Sequence, residues 1–212
     1  MRTFDKTVDS VKRHLLDKYD CSVFIHTWDV FGTTRKEDVD GSTSISVDAI
    51  KEAYSPVELL IEPQRQFEMQ NHFCFFFART PPHDVKSKWY SAKTAFELIK
   101  KSGQSFDLIL SMRPDMLLHD DVQLTLENNV LFVPGNIQVP IGMLHDYFGF
   151  GDPLIMERYF SLYENFDEIC NNTSKFRPEL IFTNHILKQK LPIKYCNLEY
   201  SLVRLSGEIR RC

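Results

Sequence analysis

The sequence has no excess of cationic residues, no paired-cysteine spacing and no long apolar run, and each shortage removes a class of protein. Lysine and arginine total 25 against 29 aspartates and glutamates, for a formal charge of -4. Phosphate neutralisation along a nucleic acid needs a lysine- and arginine-rich face, and none dominates, so no nucleic-acid partner is expected. The five cysteines, Cys21, Cys74, Cys170, Cys196 and Cys212, are odd in number and scattered. Without a C-x-x-C pair they signal neither a disulfide framework nor a zinc site, and read as reduced thiols. The opening "MRTFDKTVDSVKRHL" is charged and amphipathic, unlike a signal peptide or a membrane span. A soluble protein of a reducing compartment, the cytoplasm, is expected, in which the sequons at Asn171 and Asn172 stay unmodified. No repeat, linker or low-complexity tract divides the 212 residues, so a single domain over 1–212 is expected.

What is present is ample material for a core, at 43% hydrophobic and 13% aromatic. Phe4, Val8, Val11 and Leu15 recur at spacings of four, three and four, which predicts a helix over 4–19. "CSVFIH" reads as a strand, "SVDAIKEAY" as a helix with a serine start, and "VELLIE" as a second strand. "HFCFFFART" is a continuous apolar block that periodicity cannot assign. "KSKWYSAKTAFELIKKSG" is a helix closed by Gly103 and leads into the strand "FDLILS". Beyond it come the strand "NVLFVP", a glycine-rich segment "DYFGFGDP", helices at "LIMERYFSLYENF" and "PELIFTNHILKQK", and a terminal strand pair at "IKYC" and "SLVRL". Strands alternating with helices predict an α/β fold, a central mixed and mostly parallel sheet with helices on both faces.

The strand "FDLILS" ends abruptly in "MRPDMLLHDD". Ligands of open α/β sheets sit beyond the carboxyl ends of strands, where Arg113 and Asp115 would lie. A carboxylate there can hold Mg²⁺ or Mn²⁺, and an adjacent arginine can pair with phosphates, a combination suited to a nucleoside diphosphate. Asp115 as a plain turn cap after Pro114 is the simpler alternative, and Asp120 with Asp121 reads as a solvated helix start. His145 and Asp146 precede glycines that let a ligand approach the backbone closely. They are candidates for a further metal ligand and for a residue at a reacting sugar.

Six segments in order, "RTFDKTVDSVKRHLL", "CSVFIHTWD", "WYSAKTAFELIKK", "FDLILSMRPDMLL", "HDYFGFGDPLIMERYFSLY" and "RPELIFTNHIL", resemble nucleotide-sugar-dependent glycosyltransferases of the GT-A fold, most of all glycosyltransferase domains of large chlorella-virus proteins. The resemblance covers nearly the whole chain. It implies a metal-dependent transfer of a hexose from a UDP-sugar, such as UDP-glucose or UDP-rhamnose, to a glycan acceptor, in the host cytoplasm if the chain is viral. The family's Asp-x-Asp motif corresponds to Arg113-Pro114-Asp115, one carboxylate short. Asp115 and His145 are then the implied Mn²⁺ (or Mg²⁺) ligands. Trp28 would stack on the base and Asp29 would accept ribose hydroxyls, unless they are a buried tryptophan and a turn aspartate. Arg2, Thr3, Arg79, Lys93 and Arg113 complete the implied donor site, although Lys93 could equally pair with Glu97 and Arg79 could be a surface charge. Asp146 and Glu179 are the candidate catalytic carboxylates, and His185 reads as packing. A non-catalytic nucleotide- or glycan-binding module of the same fold is the alternative function, with a phosphohydrolase using Asp115, Asp120 and Asp121 behind it.

Overall fold

The N-terminal apolar stripe forms one helical stretch, but only α1 (Phe4–Val11) is α-helical, and Lys12–Leu16 widens into a π turn. This is seen in a computed structural model that describes residues 3–29, 46–68, 80–135, 142–204 and 206–211. The chain is divided between two units. One takes Met1–Gln64, Met112–Leu124 and Asn197–Cys212, the other Arg65–Ser111 and Thr125–Cys196.

In the first unit, β1 (Phe24–Trp28) and β2 (Glu58–Glu62) pair in parallel, with Phe24 opposite Glu58 and Trp28 opposite Glu62. Parallel neighbours need a crossover, and α2 (Val47–Tyr54) lies in it. Ser46 caps α2 as the sequence predicts, its hydroxyl accepting from the Ala49 amide at 3.2 Å. Phe4, Ile25 and Ile50 are buried together, packed by Val23, Ala49, Ala53, Tyr54 and Leu59. β4 (Met116–Leu118), β8 (Tyr200–Val203) and β9 (Ile209–Arg211) make a separate antiparallel sheet in the order β4-β8-β9.

In the second unit, β3 (Ile109–Met112), β6 (Phe148–Gly151), β5 (Leu131–Pro134) and β7 (Ile193–Cys196) lie side by side in that order. β5 runs antiparallel to β6 and parallel to β7. The helices α3 (Pro82–Lys101), α4 (Pro153–Phe160), α5 (Leu162–Asn171) and α6 (Pro178–Lys188) supply most of a core that includes Trp89, Phe96, Tyr159, Phe166 and Phe182. Trp89 stacks on Phe182 with ring centroids 5.6 Å apart and meets Tyr159 edge-on at 5.4 Å. Asp152 starts α4, its Oδ1 accepting from the amides of Leu154 and Ile155 at 2.9 and 3.0 Å.

The class is α/β, but the mostly parallel sheet is not what forms. The described strands make three sheets of mixed direction, with β1–β2 and β5–β7 parallel and β5–β6, β4–β8 and β8–β9 antiparallel. Connections such as that from Val203 to Ile209 are too short for a crossover and force an antiparallel return. Both expected terminal strands form, as β7 and β8, yet they join different sheets. The glycine-rich segment is β6 itself. A Cβ at Gly151 would lie 2.7 Å from the Val130 carbonyl oxygen and one at Gly149 3.1 Å from the Tyr159 ring, so the close approach these glycines permit is made by the protein's own groups. No helix forms after Asp121. Its carboxylate instead meets Nδ1 of His14 and Nζ of Lys18, both at 2.9 Å. "LIMERYFSLYENF" breaks into two helices at Ser161. "HFCFFFART" falls almost wholly outside the described residues.

Candidate functional site

The turn after β3 is built around one ion pair. Arg113 Nε donates to Oδ1 of Asp115 at 2.8 Å and Nη2 to Oδ2 at 2.5 Å, a fork that engages both carboxylate oxygens. The carboxylate is the buried member, 11% exposed against 24% for the arginine side chain. Backbone contacts lock the turn. The Thr7 hydroxyl donates to the Pro114 carbonyl at 2.6 Å, and the Val203 amide donates to the Asp115 carbonyl at 2.9 Å. Thr3 joins the same cluster through its hydroxyl, which donates to the Val203 carbonyl at 3.0 Å. It precedes α1 in a left-handed conformation, φ 56°, and its side chain makes no capping bond to the helix. The structure therefore brings Thr3, Arg113 and Asp115 together, with Asp115 positioning the guanidinium rather than standing open.

Still in the first unit, the carboxyl ends of the parallel pair collect Trp28, Asp29, His26 and Glu62. The Trp28 ring meets His26 edge-on with centroids 5.0 Å apart, and His26 Nε2 lies 2.9 Å from Oε2 of Glu62. Asp29 Oδ1 accepts from the Gln64 amide at 3.1 Å, and no described partner meets its second oxygen. Asp29 is thus a turn aspartate that keeps one acceptor. His26 and Glu62 were not legible as site residues, because a lone histidine inside an apolar strand looks like packing and its partner comes from a strand 36 positions away.

In the second unit, Asp146 is the most deeply buried of the candidate carboxylates, its side chain 1% exposed. Lys88 of α3 reaches it, with Nζ 2.5 Å from both Oδ2 and the Asp146 carbonyl oxygen. The ammonium also lies 5.0 Å from the centre of the Trp89 ring and 5.1 Å from that of Tyr147. Oδ1 of Asp146 is buried without a described partner. Burial pushes the Tyr159 phenol up and the charge of Asp146 adds to this, while a hydrogen bond to Ser111 pulls the other way. The phenol therefore stays protonated. His145 is buried, with its ring edge-on to Tyr147 at 4.4 Å.

Glu179, in the first turn of α6, is linked to this segment by one threonine. The Leu144 amide donates to the Thr183 hydroxyl at 2.8 Å, and that hydroxyl donates to the Glu179 carbonyl at 2.7 Å. Lys93 has the partner that its helical spacing offers, Glu97 at 3.2 Å, and a second, Glu164 of α5, at 3.0 Å. Burial pulls its ammonium down, but the two glutamates outweigh that and hold it above the ordinary lysine value. His185 is packed as expected, with Nε2 donating to the Arg158 carbonyl at 2.8 Å. Arg2 and Arg79 lie outside the described residues.

The fit to a divalent cation is poor on these residues. Such an ion takes about six oxygen-rich ligands, several of them water or phosphate, around at least one or two uncommitted carboxylates. Both oxygens of Asp115 are held by Arg113, and no group of three or more His, Cys, Asp or Glu side chains with metal-binding geometry forms among the described residues. None of the described helices is long and apolar enough to cross a membrane. No protein-family model matches the chain, and no curated protein matches it.

Proposed function

We propose that this chain is a GT-A-type glycosyltransferase that moves a hexose from a UDP-sugar to a hydroxyl of a glycan. The observation that carries the reading is the locked Arg113–Asp115 turn, a guanidinium fixed by a buried carboxylate where the chain leaves β3. Transfer breaks the bond between the anomeric carbon and the phosphate oxygen, and the electron pair leaves with UDP. A pre-oriented guanidinium meets the negative charge that builds on the leaving diphosphate without reorganising first. Trp28 offers a face to the uracil, and the second oxygen of Asp29 can accept a ribose hydroxyl. The acceptor oxygen forms the new bond and gives up its proton to a general base.

The test is release of UDP from a panel of UDP-hexoses, with and without Mn²⁺ and with and without glycan acceptors, beside thermal melting with UDP. A ligand at one hundred times its dissociation constant stabilises the fold by about 2.7 kcal/mol, a readable shift. Release of UDP that is lost in Asp115→Asn supports the transferase. A second reading, a binding module without turnover, is favoured by one feature: Asp115 and Asp146 are each already paired with a cation. A thermal shift with UDP but no release under any condition would establish that reading, and neither shift nor release would remove both.

A further inference from the structure

The carboxyl end of the β1–β2 pair holds a buried polar contact where an apolar one would serve the fold. His26 and Trp28 are two positions apart on β1 and so project from the same face of the strand, and Glu62 is the register partner of Trp28 on β2. All three belong to the first unit. The imidazole side chain is 0% exposed and donates from Nε2 to Oε2 of Glu62 at 2.9 Å. Its neighbour Ile25, on the opposite face of β1, packs against Phe4 and Ile50 with no polar group involved. A buried pair of this kind adds little stability over apolar side chains of the same volume, because both groups give up water to make it. What the pair holds in place accounts for it better.

It holds the Trp28 ring. The hydrogen bond to Glu62 lies along a ring nitrogen and so fixes the imidazole plane, and the indole meets that plane at 88° with centroids 5.0 Å apart. Edge-to-face contact is a favoured aromatic geometry and resists rotation of either ring. The backbone beneath is fixed as well, since the Asp29 amide donates to the Glu62 carbonyl at 2.9 Å and Asp29 Oδ1 accepts from the Gln64 amide. Trp28 is half-buried, so its ring keeps a surface toward solvent. Orientation passes from Glu62 through the imidazole to that surface.

A side chain that stacks on a flat ligand loses its rotamer freedom on binding unless the protein has already fixed it. Ligands of α/β sheets sit beyond the carboxyl ends of parallel strands, which is where Trp28 lies. We infer that His26, held by Glu62, is the positioning residue that presets the Trp28 ring for the base of the donor. The inference rests on the reading that Trp28 carries the uracil. With no exposed side-chain surface, His26 acts through Trp28.

The chain has two tryptophans, Trp28 and Trp89, so uniform incorporation of fluorotryptophan gives two fluorine resonances, assigned with Trp28→Phe. His26→Leu should shift or broaden the Trp28 resonance and leave that of Trp89, in the other unit, where it was. It should also weaken uridine and UDP by the same factor, about threefold to tenfold, as expected when one side chain must be immobilised by the ligand instead of by the protein. Glu62→Gln keeps an acceptor for the imidazole and should retain both the resonance and the affinity, whereas Glu62→Leu should behave as His26→Leu does. The double variant His26→Leu/Glu62→Leu removes the pair without leaving a buried charge, and gives the same readings if a single variant does not fold. An unmoved Trp28 resonance, or a parent that binds uridine no better than His26→Leu does, would overturn the inference and leave the transferase reading intact. A parent that binds neither uridine nor UDP removes that reading and the inference with it.

Discussion

Asp115 and Asp146, two of the buried carboxylates among the described residues, are neutralised in different ways. Asp115 is met two residues away in sequence by an arginine fork that engages both of its oxygens. Asp146 is met across 58 positions by a lysine that reaches one carboxylate oxygen and the backbone carbonyl, leaving Oδ1 without a described partner. A planar guanidinium matches a carboxylate edge to edge, whereas an ammonium is a point charge. The first arrangement is self-contained and fixes a cation in one orientation. The second leaves a charged acceptor in a low-dielectric setting with an unmet hydrogen bond, which is costly unless something supplies it. Asp115 is therefore read as a positioning group and Asp146 as the better candidate to take a proton or a hydroxyl.

Removing each cation breaks this comparison most directly. Lys88→Met leaves a carboxylate that is 1% exposed without its charge partner, and breaking a buried pair costs about 3–5 kcal/mol. Arg113→Met should cost less, about 1–3 kcal/mol, because Asp115 stays 11% exposed and the turn keeps its backbone bonds from Thr7 and Val203. Urea unfolding of the two variants measures both. If Lys88→Met proves the milder change, water or another donor already serves Asp146 and the contrast between the pairs disappears.

The next effect is on ligand affinity. Arg113→Lys keeps a positive charge but loses the fork, so it should weaken UDP by about 1.5–3 kcal/mol, the worth of a hydrogen bond to a charged group. Uridine, which lacks the diphosphate, should bind as before. Calorimetry with the two ligands decides, and equal losses would mean that the turn itself has moved.

A smaller and graded effect comes from His185, fully buried in α6. Burial pushes its imidazole down to about 4, against hydrogen bonds to the backbone carbonyls of Arg158 and Tyr159 that oppose the shift. Nε2 holds its proton on the Arg158 carbonyl, so a second proton would have to sit on Nδ1, which has no described partner. Between the ordinary histidine value and about 4, the unfolded chain binds this proton and the folded one does not. Stability is therefore full above the unfolded value and falls as pH drops through that window, with a slope of up to about 1.4 kcal/mol per pH unit. His185→Gln, which keeps a donor for the carbonyl, should flatten the dependence measured by denaturation from pH 7 to 4.5.

The elements were legible wherever local rules decide them. Ser46 as a cap, Gly103 after α3 at φ 68° and the apolar stripe that buries Phe4, Val11 and Leu15 follow from neighbouring residues alone. Strand partners were not, because β7 and β8 look alike in sequence, while β7 pairs with β5 and β8 with β4 and β9. The candidate site divides in the same way. The Arg113–Asp115 pairing is two residues long and could be read as a unit. Lys93 is a candidate through the resemblance, with Glu97 as its alternative partner, whereas nothing local to Lys88 signals that it meets Asp146, 58 positions away. The glycines of "FGFG" were read as room for a ligand, when the contacts that fill that room, the Val130 carbonyl and the Tyr159 ring, come from elements that only the fold brings near.

Lys93 gives the smallest expected effect and a decisive one for the donor site. Its ammonium lies between Glu97 and Glu164, with its side chain 18% exposed and the two glutamates 35% and 49% exposed. Ion pairs this open are worth about 0.2–1 kcal/mol each and weaken with salt, since water and counterions screen them. If holding α5 to α3 is all that Lys93 does, Lys93→Met should lower stability by no more than about 1 kcal/mol at low ionic strength, less at 0.5 M salt, and leave UDP affinity unchanged. If Lys93 instead serves the diphosphate, the same change should weaken UDP about tenfold or more while uridine binding holds, a lost charge-assisted bond being worth about 1.5–3 kcal/mol. The two outcomes separate because two glutamates already compensate the charge of Lys93, so a phosphate would have to displace them. Paired UDP and uridine titrations of this one variant, run beside its urea unfolding at two salt concentrations, determine whether Lys93 belongs to the scaffold of the second unit or to the donor.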